Sequence, residues 1–208
     1  MSALRAQMNP HFIFNSLNSI NRFIQLSEPD AASNYLTKFS RLIRQVLDNS
    51  RAEAISLETE LETCRLYLEI ESLRFAGQFS FEIEVSDAVE PSVLDVPPML
   101  VQPFLENAIW HGLMQKEGSD RRLWLKIALE NEDTVFISIR DNGIGRAAAR
   151  LLKSKSSVRQ KSHGMDLTSE RAALFAERSG RRLAVQIVDL THPDGSPAGT
   201  EAQIRLET

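Results

Sequence analysis

Apolar residues in the first third of the chain recur at helical steps. Phe12, Ile13, Leu17, Ile20, Phe23 and Ile24 fall three or four residues apart, the spacing of one helical face. Asn9-Pro10 suits a helix start with proline at the first helical position. Were a helix to arrive from upstream, the same proline would kink it just before His11. Ser27-Glu28-Pro29-Asp30 interrupts the run. A second helix reads from about Ala31 to Asn49, with Tyr35, Leu36, Phe39, Leu42, Ile43, Val46 and Leu47 on one face. A third runs from Leu57 to about Phe75, with Glu58 and Glu60 suiting its positive N-terminal end. Three short amphipathic helices give a thin core, which a second copy of the chain would complete.

After Gly77 the period becomes two. Phe79, Phe81, Ile83 and Val85 alternate with polar residues as in a strand. A proline-started helix follows from about Pro98 to His111, then strands over Leu123–Leu129 and Thr134–Arg140. A glycine-containing turn, a polar basic stretch, a helix near Gly164–Arg178 and strands near Leu183–Val188 and Glu201–Leu206 complete the chain. The expected class is α+β. A helical region over residues 1–76 precedes an α/β sandwich over residues 77–208, with helices on one face of a mixed sheet.

Composition narrows the setting. The 208 residues are enough for one large domain or two small ones, and 42% hydrophobic with 25% charged content is ordinary for a globular protein. A net charge of −4 offers no general attraction to nucleic acid or anionic membrane, so neither is an expected partner and any basic site must be local. Cys64 is the only cysteine and cannot form an internal disulfide, which fits a reducing cytoplasm. No apolar run approaches the ~20 residues of a membrane helix. A dense motif begins only a few residues after Met1-Ser2. The chain therefore reads as a piece of a longer protein, and any membrane anchor would lie in the missing upstream part.

Three segments carry candidate nucleotide chemistry. In Gln102-Pro103-Phe104-Leu105-Glu106-Asn107-Ala108-Ile109-Trp110-His111-Gly112, Glu106 and Asn107 are polar within an apolar stretch. They are either a solvent-facing pair or, for the amide, an oxygen ligand of the kind magnesium takes beside phosphates. Asp141-Asn142-Gly143-Ile144-Gly145 is either an ordinary turn or an adenine acceptor followed by close backbone approach. Ser162-His163-Gly164-Met165 opens a helix whose N–H groups suit phosphate. Lys153, Lys155, Arg159 and Lys161 precede it as a solvated loop or as a lid.

An asparagine-bearing helix, D-x-G-x-G and a glycine-led helix, in that order, resemble the GHKL ATP-binding fold of histidine kinases and gyrases. The resemblance implies ATP and Mg2+, with Asn107 as metal ligand and Asp141 reading adenine. Gly143 and Gly145 would form the pocket floor. Gly164 and Met165 would meet the phosphates under a lid containing Lys161. Gly199-Thr200 would be a further element of the site, and His111 would cap its helix or face the nucleotide. Relatives often carry G-x-G-L-x-N where this chain has His163 and Leu167, which bears on nucleotide affinity and lid geometry.

Leu4-Arg5-Ala6-Gln7-Met8-Asn9-Pro10-His11-Phe12-Ile13-Phe14-Asn15-Ser16-Leu17-Asn18-Ser19-Ile20 resembles the LytS/YehU type of sensor histidine kinase nearly residue for residue. The likeness continues through Tyr67-Leu68-Glu69-Ile70-Glu71-Ser72-Leu73-Arg74-Phe75 and Gln102–Asn107. It implies a phosphoacceptor at His11, whose neutral imidazole is a good nucleophile near pH 7. Many kinase families place an acid directly after that histidine. Here Phe12 follows, so the base would be Glu106 or water. Asn15, four residues on, would orient water for dephosphorylation of the partner. The implied protein is a homodimeric kinase and the cytoplasmic part of a membrane-anchored sensor. It would pass phosphate to a response regulator, of LytTR type by resemblance. Two rivals stand beside it: a degenerate kinase serving as an interaction module, and a GHKL ATPase without phosphohistidine.

Overall fold

The computed structural model describes residues 10–155 and 173–208. Helix α1 (Pro10–Gln25) turns through Ser27, at φ 59°, into α2 (Pro29–Asn49), which starts with a proline in its first turn. The two pack through Phe23 on Tyr35 (5.9 Å) and Phe12 on Phe39 (6.1 Å), and the Tyr35 hydroxyl donates to Ser16 Oγ at 3.3 Å. The opposite side of α1 is apolar and uncovered. Phe14 is 66% exposed and Ile24 61%, with Leu17, Leu26 and Leu36 of α2 exposed nearby in sequence.

Strand β1 (Ile55–Ser56) leads directly into α3 (Leu57–Arg74), whose first turn is capped by the Ser56 hydroxyl accepting Thr59 N–H at 3.2 Å. Ten of the eighteen α3 residues are buried, and they lie all round the helix. That is the pattern of a helix covered on several sides. One side meets α2 through the Lys38–Glu69 ion pair and the Asn49–Thr63 hydrogen bond. Another is tied to later chain: β1 pairs antiparallel with β3 (Asp95–Val96), and Leu57 N–H donates to Leu94 C=O at 2.7 Å. Glu60, in the first turn of α3, faces inward. It is buried and accepts the backbone N–H groups of Met99 and Val101, both at 2.9 Å.

That contact explains a shift in the next helix. Met99 sits at φ 60°, so residues 97–101 form a turn and α4 runs only from Gln102 to Asn107 rather than from Pro98. It continues as a wider π turn, Ala108–Gly112, and a short 3-10 turn, Leu113–Gln115.

Five strands form the main sheet: β2 (Ser80–Val85), β4 (Arg122–Asn131), β5 (Thr134–Asp141), β6 (Leu183–Thr191) and β7 (Pro197–Glu207). Their order is β2-β4-β5-β7-β6. β2 pairs parallel with β4 and the remaining pairs are antiparallel, so the sheet is mixed. The class is α+β, as the sequence pattern implies. Alternation puts Leu123, Leu125, Ile127, Val135, Ile137, Ile139, Ile204 and Leu206 on the buried, helix-facing side. On the opposite face Arg140 lies over Trp124 and Arg205 over Phe136. After β5, residues read as a basic loop form a helix, α5 (Gly145–Lys155). Residues 173–179 are helical.

Candidate nucleotide site at the end of β5

β5 ends on Asp141, which stands in register with Leu123 of β4 and Thr200 of β7. Its side chain is buried, 3% exposed. Oδ1 accepts Gly143 N–H at 2.7 Å, closing a tight turn. Burial pushes the carboxyl up to about 6, while the Gly143 and Thr200 backbone N–H groups and the Lys116 charge hold it back.

Two glycines crowd this carboxylate and a third crowds the Asp141 main chain. A Cβ at Gly112 would stand 2.7 Å from Asp141 Oδ1, and one at Gly143 would collide with the Gly112 main chain. A Cβ at Gly199 would strike the Asp141 carbonyl oxygen. Main chain from the π turn, the β5 turn and the β7 start therefore meets around one buried acceptor, with Ile144 N–H donating to Gly112 C=O at 3.4 Å. Gly145 (φ 76°) then starts α5, and Arg146 secures it to β6 through two bonds to the Asp189 carboxylate, at 2.7 and 2.8 Å. Asp141, Gly143, Gly145 and Thr200 are thus brought together at the end of β5. Gly112 is a further member of the site that the motifs do not mark; its signal is the glycine directly after His111 in an otherwise helical run.

Glu106, Asn107 and His111 sit on the arm that delivers Gly112. All three are half-buried. Asn107 is the last α-helical residue before the π turn, a distortion frequent at functional sites. Glu106 accepts Gln102 Nε2 at 3.1 Å, and burial raises its carboxyl above the ordinary range. Among the described residues no group of three or more His, Cys, Asp or Glu side chains could enclose a metal ion. The side-chain amide of Asn107 offers an oxygen of the kind magnesium takes beside phosphates and water. The glycine cradle and the buried acceptor of Asp141 fit an adenine nucleotide.

The phosphoacceptor segment lies on α1. Asn15 is half-buried one turn after His11, and its carbonyl accepts Ser19 Oγ at 3.0 Å. Phe12 is buried against Tyr67 of α3, ring centres 5.5 Å apart. The side chain of His11 lies outside the described residues, as do Lys161, Gly164 and Met165.

Residues 1–79 match the family model described as histidine kinase. Over 164 residues, 78% of this chain, the sequence is 34% identical to the sensor histidine kinase/phosphatase LytS of Staphylococcus aureus strains Mu50 and N315. The chain belongs to the histidine kinase family. It spans about a quarter of the length of these relatives, 27%. Among solved structures, this histidine kinase chain is similar to the mycobacterial sensor histidine kinase MprB (17% identity, 74% of this chain and 95% of that one, TM-score 0.49). It is also similar to the histidine kinase domain of the Erythrobacter litoralis EL346 blue-light activated kinase (13% identity, 95% of each chain, TM-score 0.46). Among the described residues no helix is long and apolar enough to cross a membrane.

Proposed function

We propose that the chain is the catalytic region of a sensor histidine kinase that transfers the γ-phosphoryl group of Mg-ATP to His11 and then to an aspartate of a response regulator. The observation that carries this reading is the Asp141 cradle. A buried carboxylate stands beside Gly112 and Gly143, with Gly199 against the Asp141 main chain, an arrangement suited to binding an adenine edge and holding a nucleotide against backbone.

In this reading Asp141 accepts the adenine amine, Gly143, Gly145 and Thr200 line the pocket, and Asn107 holds magnesium with His111 beside it. Lys161, Gly164 and Met165 belong to the phosphate end. Bound magnesium supplies charge neutralisation for the transferred group. The chain supplies positioning, which phosphoryl transfer chiefly needs. His11 attacks, Glu106 takes the imidazole proton, and Asn15 orients water when the regulator is dephosphorylated. Residues 1–76 serve dimerisation and phosphotransfer and residues 77–208 bind ATP, with α3 making contacts to both parts. The uncovered apolar side of α1 supports a homodimer. A LytTR-type regulator and a place on the cytoplasmic side of a membrane sensor complete the proposal.

Incubation with γ-labelled Mg-ATP tests it. Acid-labile, base-stable label is expected on the chain and lost in His11→Ala and Asn107→Ala. Nucleotide binding without label would leave an ATP-binding module, and phosphate release without phosphohistidine would make the protein an ATPase.

A further inference from the structure

The last turn of α3 ends in a cluster that takes no part in the nucleotide pocket, yet it withdraws a charge from water. The Arg74 side chain is only 10% exposed, and its Nη1 donates at 2.9 Å to Glu71, which is fully buried. Its guanidinium carbon stands 4.1 Å from the centre of the Trp110 ring and 4.6 Å from that of Phe75. Phe75 in turn meets Trp110 edge to face, ring centres 5.3 Å apart. A cation taken out of water is costly unless it is paired. Here one carboxylate fixes the guanidinium fork and two rings fix its plane, a use that suits arginine and not lysine.

Trp110 is the middle residue of the π turn Ala108–Gly112, so α3 grips that turn at its midpoint. Two residues on, Gly112 makes its close approach to Asp141 and Gly143. A Cβ on it would stand 2.7 Å from Asp141 Oδ1, and its C=O accepts Ile144 N–H at 3.4 Å. Gly112 is thus a wall of the cradle with no side chain of its own to lock it, and the residues before it must hold it in place. The other end of the same α3 face reaches the phosphoacceptor helix. Tyr67, Glu71 and Arg74 follow at steps of four and three, hence on one side of α3. Phe12, the residue after His11, packs on the Tyr67 ring at 5.5 Å.

We propose that Arg74 is a positioning residue for the nucleotide pocket: pinned by Glu71, its guanidinium holds the Trp110 ring and so keeps the Gly112 main chain against Asp141 and Gly143. The role rests on reading that cradle as the adenine pocket. Arg74 acts through Trp110 and meets no nucleotide itself. Without the clamp the π turn shifts, and the pocket loses its wall before the fold is lost. Because Glu71 and Arg74 share a helix face with Tyr67, the clamp also gives the helical region a hold on the pocket.

The experiment is Mg-ATP affinity by calorimetry in the full chain, with urea stability measured in parallel. Arg74→Lys keeps the charge and loses the flat fork. Arg74→Lys and Trp110→Leu are each expected to weaken Mg-ATP by about tenfold, the scale of one desolvated stack. Trp110→Phe keeps a ring beside Arg74 and is expected to hold affinity within about threefold. Arg74→Lys combined with Trp110→Leu should bind no more weakly than either alone, since each breaks the same link. The indole gives a second signature. With Trp124→Phe, Trp110 is the sole tryptophan, and adding Arg74→Lys should raise its quenching by acrylamide. Undiminished affinity in Arg74→Lys, additive losses in the combined variant, or Trp110→Phe binding as poorly as Trp110→Leu would overturn the proposal. If Arg74→Lys does not fold, the comparison of Trp110→Phe with Trp110→Leu decides alone. If the wild-type chain binds no Mg-ATP, the pocket reading fails and the positioning role with it. Wild-type binding that is indifferent to Arg74 refutes the clamp alone.

Discussion

Asp141 and Glu71 both carry carboxyls raised by burial, and this gives stability and binding opposite pH trends. A carboxyl with a folded value above its unfolded one favours the folded state while it stays protonated. That contribution is fully present below the unfolded value and is lost as pH rises through about 6 for Asp141 and about 7 for Glu71. Each is worth on the order of 3 kcal/mol by linkage. Thermal denaturation without nucleotide should therefore show stability declining from pH 5 to pH 8. In the proposed reading adenine binding needs the ionised Asp141 as acceptor, so calorimetry should then show affinity strengthening as pH rises through about 6 and levelling above it. Asp141→Asn should remove that dependence. At the same scale, Gly143→Ala places a methyl inside the Gly112 main chain. It is expected to cost about 1–3 kcal/mol of stability and to abolish nucleotide binding, read by melting with and without ATP.

Among the elements, α3 is the one that ties the chain together. Glu60→Ala would strand the Met99 and Val101 N–H groups, both now bonded at 2.9 Å, at a cost of about 1–3 kcal/mol; urea unfolding measures it. A chain beginning at residue 77 would lose β1 and α3, together with the helical cover they provide. It is expected to be unfolded by circular dichroism, whereas one beginning at residue 52 should fold. Long periodic elements were legible beforehand: α1, α2, α3 and the strands lie close to where the apolar spacing puts them. What escaped was set by distant contacts. Two-residue strands such as Ile55–Ser56 carry no period. The late start of α4 depends on a carboxylate 39 residues earlier in sequence. The helix Gly145–Lys155 was hidden because Lys153 and Lys155 read as part of a solvated loop or lid, while the Arg146–Asp189 contact that secures its start is formed by a strand far along the chain. In the site, Asp141 and Gly143 announced themselves by motif, while the role of Gly112 arises only from the approach of another segment.

For the molecule as a whole, the uncovered apolar side of α1 makes a claim about assembly. Leu17→Glu, at an exposed position, leaves the packing of Phe12 and Phe23 untouched. It is expected to convert a dimer to a monomer in sedimentation while ATP binding persists. A wild-type chain that sediments as a monomer would assign that face to another occupant.

The crowding of Gly112, Gly143 and Gly199 around Asp141 has a bearing on inhibitor selectivity. A small molecule filling that floor would meet mainly amide backbone, which differs little between proteins sharing the same turn. Discrimination would have to come from side chains lying beyond those glycines. Medicinal effort aimed at this chain alone would grow its compounds outward, to side chains beyond the glycines, instead of deeper into that floor.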